Sequence, residues 1–407
     1  MKRHILSLLT ILVLTPLHAQ KFADHFCDST LRLDYIFAGD TSAQHIFVDE
    51  LSMTPRWYGR RERLSQLPLK GNGQLTVTDT ETGDTLYRHS FSTLFQEWLA
   101  TDEAKHTARS FENVFLMPYP RHAVDVQVEL RDYHDRLTAS QRHRVTPGDI
   151  LIRKTAEHTP YTTLLQAADT NRCIHIAYVA EGYTADQMTQ FIDDCREAVE
   201  SMFQHEPFTS MKDRFNIVAV LSPSKDTDVS QPGKNSWRNT ALRSHFDTFY
   251  TERYLTTLRL KRLHDVLSGI PYEHIIILAN TSHYGGGGIY NSYNLSYTRG
   301  KHFRPVVVHE FGHSFGGLGD EYPYGNDAPM YFADTEPWEP NLTTHPAQPK
   351  WQPLIDEGKA GLIEGGGYLT KGVWRAQENC RMRTNEYPEF CPVCQQALRR
   401  LIDFYTK

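Results

Sequence analysis

The sequence predicts an α+β chain in two parts, a β-sandwich over residues 20–155 followed by an α/β part over residues 156–407. Three observations carry this expectation. Val124, Val126, Val128 and Leu130 alternate with Asp125, Gln127, Glu129 and Arg131, the period of a strand with one face in a core. Beyond Asn171 the pattern changes to short apolar runs, each followed by a helical one. A length of 407 residues also exceeds what a single ordinary core fills.

Taken in order, the chain opens with an export signal over residues 1–19. Lys2, Arg3 and His4 make a basic start, Ile5 to Leu14 is apolar, and Leu17-His18-Ala19 precedes Gln20 as a cleavage site. That apolar run is too short for a permanent span, and no later stretch is long enough, so a secreted or periplasmic protein without an integral membrane segment is expected. Leu75 to Thr78 and Thr85 to Arg88 flank the turn Thr82-Gly83-Asp84 and read as a hairpin. Phe111 to Met117 and Ile150 to Arg153 supply further strands, and Thr93 to Lys105 a short helix. The histidines of this part are scattered and suggest no chemistry.

A polar stretch, Lys154 to Asn171, separates the parts. Then follow a strand at Ile174 to Val179, a helix at Ala185 to Phe203 capped by Thr184, and a strand at Phe215 to Leu221. Thr240 to Leu267 reads as an amphipathic helix and His274 to Ala279 as a buried strand. The run Gly285 to Gly288 is not followed by Lys-Ser/Thr and opens no helix, which excludes a phosphate cradle. It reads instead as the flexible approach to an exposed edge strand reaching Thr298, able to take an extended peptide by strand addition. Pro392 to Tyr405 closes the chain as a helix.

The net charge of −6 is modest and no run of Lys or Arg marks a nucleic-acid surface, so nucleic acid is excluded as a partner. Export bears on Cys27, Cys173, Cys195, Cys380, Cys391 and Cys394, which allow up to three disulfides. Cys380 with the pair in Cys391-Pro392-Val393-Cys394 suits a structural zinc cluster or a bridge. Three thiols in an oxidising compartment favour a bridge from Cys380 to one of the pair.

The chemistry concentrates in Val306 to Tyr322. His309 and His313 stand four apart, so on a helix they share one face and can hold one metal ion, with Glu310 placed beside it. A surface helix could carry two histidines by accident. Here Val307, Phe311 and Phe315 form an apolar stripe that buries the helix, and buried imidazoles need partners. A catalytic zinc takes three protein ligands and keeps one position open. A glutamate from further along, Glu336 or Glu339, would be one kind of third ligand. The other kind is a residue on a chain that turns straight back, which Gly316, Gly317 and Gly319 permit. Asp320 is the favoured ligand and Glu321 the alternative, although the spacing is one residue longer than in the usual HExxHxxGxxH/D pattern. Such a zinc activates a water for attack on an amide, with Glu310 as general base. Met382, after a glycine-rich lead-in, is a candidate for the methionine turn found beneath such metals.

The segment His309-Glu310-Phe311-Gly312-His313-Ser314-Phe315-Gly316-Gly317-Leu318-Gly319-Asp320-Glu321-Tyr322 does not stand alone. Together with Gly365-Gly366-Gly367-Tyr368, Cys380-Arg381-Met382-Arg383 and Phe390-Cys391-Pro392-Val393-Cys394, it resembles the IgA-peptidase family of zinc metallopeptidases, metallopeptidase family 64. The resemblance runs from about Cys173 to Tyr405 and extends to the β-rich part before it. It implies a metzincin-like catalytic domain, zinc as cofactor, His309, His313 and Asp320 as its ligands, and Glu310 as the catalytic base. The expected function is a secreted zinc endopeptidase acting on protein or peptide, host glycoproteins among the candidates. Two alternatives differ in testable ways: a zinc amidase acting on cell-wall peptides, and a surface binding protein whose metal is structural and closed by four protein ligands.

Overall fold

The computed structural model describes residues 21–155, 158–323, 331 and 333–407. The export signal expected over residues 1–19 lies outside them. The chain starts with a single helical turn, α1 (Phe22–His25), and two long strands, β1 (Phe26–Gly39) and β2 (Gln44–Pro55). The expected hairpin is β3 (Gly73–Asp79) and β4 (Thr85–Phe91). Its turn is set locally: Asp79 Oδ1 accepts from the N–H groups of Glu81 (2.7 Å) and Thr82 (3.0 Å), and Gly83 takes φ +77°. Helix α2 (Leu94–Trp98) is capped by Thr93, whose Oγ1 accepts from Gln96 N at 3.2 Å. Strands β5 (Arg109–Pro120), β6 (Val124–Arg131), β7 (Leu137–Val145) and the short β8 (Arg153–Lys154) complete the region.

These strands form two four-stranded sheets, ordered β5-β1-β2-β8 and β4-β3-β6-β7. The alternation read in β6 is realised, since Val124, Val126, Val128 and Leu130 are all buried. Ile150 and Leu151 stay exposed, so the strand expected from Ile150 shrinks to β8.

The second region is a six-stranded sheet with its helices: β9 (Tyr161–Leu165), β10 (Ile174–Glu181), α3 (Met188–Met202), β11 (Phe215–Val220), α4 (Leu260–Val266), β12 (His274–Ala279), β13 (Gly286–Ile289), β14 (Tyr293–Tyr297) and α5 (Phe303–Ser314). After it come α6 (Gln352–Asp356), the hairpin β15 (Ile363–Gly366) and β16 (Leu369–Arg375), and the closing α7 (Pro392–Thr406). The sheet order is β13-β14-β12-β10-β11-β9; the four inner strands are parallel, and both edge strands run antiparallel to their neighbours. Parallel strands buried on both faces read as unbroken apolar runs, which is why β10, β11 and β12 were legible without alternation.

The two faces meet different partners. Ile174, Ile176 and Tyr178 of β10 pack in one core with Phe191 and Cys195 of α3, Val307 and Phe311 of α5, and Leu398 and Leu401 of α7. Ala177 and Val179, pointing the other way, belong to the core that also contains the β-rich N-terminal region. An ion pair reinforces that junction: the buried Arg32 of β1, held by Asp34 at 2.7 Å, reaches the exposed Asp265 of α4 at 2.6 Å. The architecture is therefore mixed α+β, with a β-rich region covering one face of the second region's sheet. Among the described residues, no helix is long and apolar enough to cross a membrane.

One expectation fails. Thr240 to Leu267 is not one helix; α4 is its only right-handed helix, and the tight turn at Thr248–Tyr250 has positive φ at Phe249 and Tyr250. The cause is the buried carboxylate of Glu181, at the end of β10. It accepts from Thr240 Oγ1 (2.6 Å), Leu242 N (2.8 Å) and Ser244 N (2.7 Å), so those amides are not available to helical carbonyls. Arg243, Asp247, Phe249 and Tyr250 then sit at positive φ. An amphipathic pattern does not reveal a distant acceptor. Replacing Glu181 by alanine would orphan those three donors at about 1–3 kcal/mol each before relaxation. The variant is expected to unfold at a clearly lower urea midpoint, and an unchanged midpoint would contradict this anchoring role.

Candidate metal centre

Helix α5 carries the two histidines on the side facing away from its buried Val307, Val308 and Phe311. His309 and His313 are only partly buried, their rings are 4.7 Å apart, and their Nε2 atoms approach to 3.0 Å. The helix must end one turn later for the chain to come back. Gly317 ends it at φ +57°, a conformation in which a side chain is strained. Leu318 then folds back so that its N–H reaches Gly312 O at 3.1 Å and its carbonyl accepts from His313 Nδ1 at 2.6 Å. Two residues on, Asp320 places Oδ1 3.1 Å from His309 Nε2 and 3.2 Å from His313 Nε2. The structure thus brings together His309, His313 and Asp320.

These atoms fit a divalent metal. Each Nδ1 faces a carbonyl, Arg381 O at 2.9 Å for His309 and Leu318 O at 2.6 Å for His313. A carbonyl only accepts, so each Nδ1 carries the hydrogen and each neutral ring turns its Nε2 lone pair towards Asp320. Two lone pairs and a carboxylate oxygen at this range repel unless a cation lies among them. Asp320 Oδ1 is buried and has no hydrogen-bond donor of its own. The separations are close to the ~3.3 Å between ligands that sit ~2.0–2.1 Å from a tetrahedral zinc. A proton is the competitor. Burial alone would lower the pKa of His313, but the Asp320 carboxylate outweighs it and brings it up to about 9. Burial would likewise raise Asp320, and the imidazoles beside it hold its carboxyl far below the usual carboxylate range. Among the described residues this group offers three donors.

Asp320 is aimed by groups that the motif does not contain. Tyr368 donates from its hydroxyl to Asp320 Oδ2 at 2.5 Å, and Gly367 N donates to Asp320 O at 2.8 Å. Asn341 clamps the preceding residue, accepting from Gly319 N and donating to Gly319 O, both at 2.8 Å. Sequence reasoning quoted Tyr368 without giving it a role and missed Asn341 altogether, because a clamp from a long loop leaves no spacing to read. Glu321, the alternative ligand, faces the other way: its Oε1 lies 3.2 Å from Cys394 Sγ. Glu336 is occupied by His345 (2.8 Å) and Lys350 (3.2 Å), and Glu339 accepts from Tyr331 at 3.2 Å, so neither belongs to the group.

Glu310 stands beside the donors in a cleft of about 730 Å³ that His309, His313 and Asp320 also line. Desolvation in the cleft raises its pKa, with the two imidazoles opposing and Asp320 assisting. The glycine run forms the facing wall. A Cβ on Gly286 would come 2.8 Å from Glu310 Oε1, and one on Gly288 only 2.3 Å from Glu310 O. These glycines therefore allow a strand to lie against a helix, rather than supplying the flexible turn expected. The stretch expected as an exposed edge strand reaching Thr298 is β14, which is buried and paired on both sides; the edge is the glycine run itself, β13, and an isolated bridge from Tyr254 occupies its Gly286. Met382 lies beneath: a Cβ on Gly312 would meet its sulfur at 2.5 Å. The N-terminal region, in which the sequence suggested no chemistry, contributes Glu97 and Tyr133 to the cleft wall. Burial pushes Glu97 up to about 7, and it accepts a hydrogen bond from Tyr254.

An α+β fold that presents a His-His-Asp donor group and a neighbouring glutamate in an open cleft has the make-up of a metal-dependent hydrolase. Comparison with protein families makes the class specific. The family model described as IgA Peptidase M64 matches residues 162–360 and 356–402, and the model of the Peptidase M64 N-terminus matches residues 21–141. The chain belongs to this family and is a metallopeptidase, a hydrolase of protein or peptide substrates. No curated protein matches it.

Two substitutions test the geometry. Tyr368→Phe is expected to weaken metal binding 10–100-fold, as loss of an outer-shell partner commonly does, read by competition with a chelating dye; unaltered affinity would contradict its role. Gly288→Ala forces strand and helix apart at about 1–3 kcal/mol, lowering the thermal midpoint. A midpoint equal to that of the wild type would show that the approach is not tight.

Proposed function

We propose that the chain is an exported, zinc-dependent endopeptidase with a metzincin-like site, in which His309, His313 and Asp320 hold the metal and Glu310 is the general base. The observation that carries this reading is the return of Asp320 to the two Nε2 atoms directly after the glycine-ended helix. Zinc held there supplies Lewis acidity, polarising the scissile carbonyl and lowering the pKa of a water.

The chain's own residues do the rest. Glu310, raised in pKa yet flanked by imidazoles, takes a proton from the attacking water and passes it to the leaving amine. Gly287 and Gly288 line the cleft without side chains, so an extended peptide approaches Glu310 closely along β13. Met382, packed under Gly312, and the Arg381 carbonyl on His309 keep the metal side of the helix fixed. A donor group of three rather than four among the described residues favours a catalytic over a purely structural metal. Export rests on the Lys2 to Ala19 pattern. A host glycoprotein is a substrate candidate in keeping with export, and a cell-wall amide would use the same machinery.

Glu310→Gln is expected to retain its metal while kcat for peptide cleavage falls about 10²–10⁴-fold. A metal-loaded variant as active as wild type would sink the assignment. Digestion of protein against muropeptide substrates by the wild type separates endopeptidase from amidase.

A further inference from the structure

We propose that Cys380, Cys391, Cys394 and Glu321 form a second metal centre, a structural zinc site behind the cleft and separate from the His-His-Asp group. One potential ligand atom from each residue lies within 4.8 Å of all the others. Cys380 and Cys394 have their sulfurs 3.8 Å apart, and Glu321 Oε1 is 3.2 Å from Cys394 Sγ and 3.9 Å from Cys391 Sγ. Two thiolates ~2.3 Å from a tetrahedral zinc are about 3.8 Å apart, whereas a disulfide brings sulfurs to about 2.05 Å. All six cysteines are free thiols, so the bridge expected from Cys380 is not formed.

The site is built and enclosed. Cys380, Cys394 and Glu321 are 0% exposed and Cys391 is 1% exposed. Glu321 Oε2 is buried with no hydrogen-bond partner, and Oε1 accepts from Asn341 Nδ2 at 3.0 Å. A buried carboxylate left half-satisfied is costly, and a cation beside it removes that cost. A disulfide would not: it would use two of the three sulfurs and leave the third thiol and the carboxylate unresolved. Soft thiolate donors select zinc over magnesium or calcium, and four protein ligands leave no position for substrate, so the role is structural. Binding displaces the thiol protons into solvent. The buried guanidinium groups of Arg375 and Arg381 act on Glu321 and Cys380 respectively and offset their negative charge.

The consequence reaches the cleft. Glu321 directly follows Asp320, and its N–H donates to Met382 O at 2.9 Å. Cys380 immediately precedes Arg381, whose carbonyl orients His309, and Cys391 is the N-cap of α7. A metal here ties together the segment that delivers Asp320, the segment that carries Met382, and the closing helix.

The test is metal stoichiometry on the chain lacking residues 1–19, purified in air without chelators. The proposal expects two zinc ions per wild-type chain, one per chain in His309→Ala/His313→Ala, and one in Cys391→Ser/Cys394→Ser. If the cysteine variant does not fold, titrating wild type with a thiol-specific mercurial is expected to release one zinc equivalent to a colorimetric dye. A single zinc that is lost with the histidines, or peptide mapping that finds two of Cys380, Cys391 and Cys394 paired in a disulfide, overturns the proposal and leaves the catalytic reading intact. A single zinc that is lost with the cysteines does the reverse.

Discussion

Two imidazole nitrogens and a carboxylate oxygen, held between 3.0 and 3.2 Å from one another, are the arrangement on which the rest of the structure turns. Unless a proton or a metal ion lies among them these atoms repel, and in a buried place such repulsion is not relieved by water. The fold holds them there with fixed partners. Carbonyls of Arg381 and Leu318 set the rings, Tyr368 and Gly367 hold Asp320, and Asn341 holds the residue before it. A metal ion placed among them would relieve that repulsion, and a metal-binding group of this kind is in keeping with the metallopeptidase family to which the chain belongs.

A second constraint is steric. Gly286 and Gly288 lie against the helix that carries His309 and His313, and at Gly288 a Cβ would run into the Glu310 carbonyl, while Gly287 packs on Tyr254. That approach makes one wall of the cleft from backbone, as a peptide substrate requires. The cleft lining also takes Glu97 and Tyr133 from the β-rich region, whose core is continuous with one face of the six-stranded sheet. The N-terminal part is thus built into the cleft.

Much of this was legible in the sequence. The alternation in β6, the unbroken apolar strands β10 to β12, and the helix-glycine-carboxylate order of His309 to Asp320 are local signals, and local signals survive without a structure. What was not legible depends on distant partners. Glu181, at the end of β10, unwinds the expected helix after Thr240, and Asn341 and Tyr368 reach Gly319 and Asp320 respectively from separate parts of the chain. The glycine run was read as flexible because composition does not distinguish a hinge from a close contact. Glu321 was weighed against Asp320 for a single site; adjacent residues on an extended chain face opposite ways, and here the opposite side holds three thiols.

The central claim is that His309, His313 and Asp320 hold a metal with one position left open. Anomalous diffraction at the zinc edge, on crystals of protein purified without chelators, tests it most directly. A peak bonded to both Nε2 atoms and to Asp320 Oδ1, with solvent as the remaining ligand, is expected. A map with no peak there, or one in which a fourth protein ligand closes the site, would contradict it.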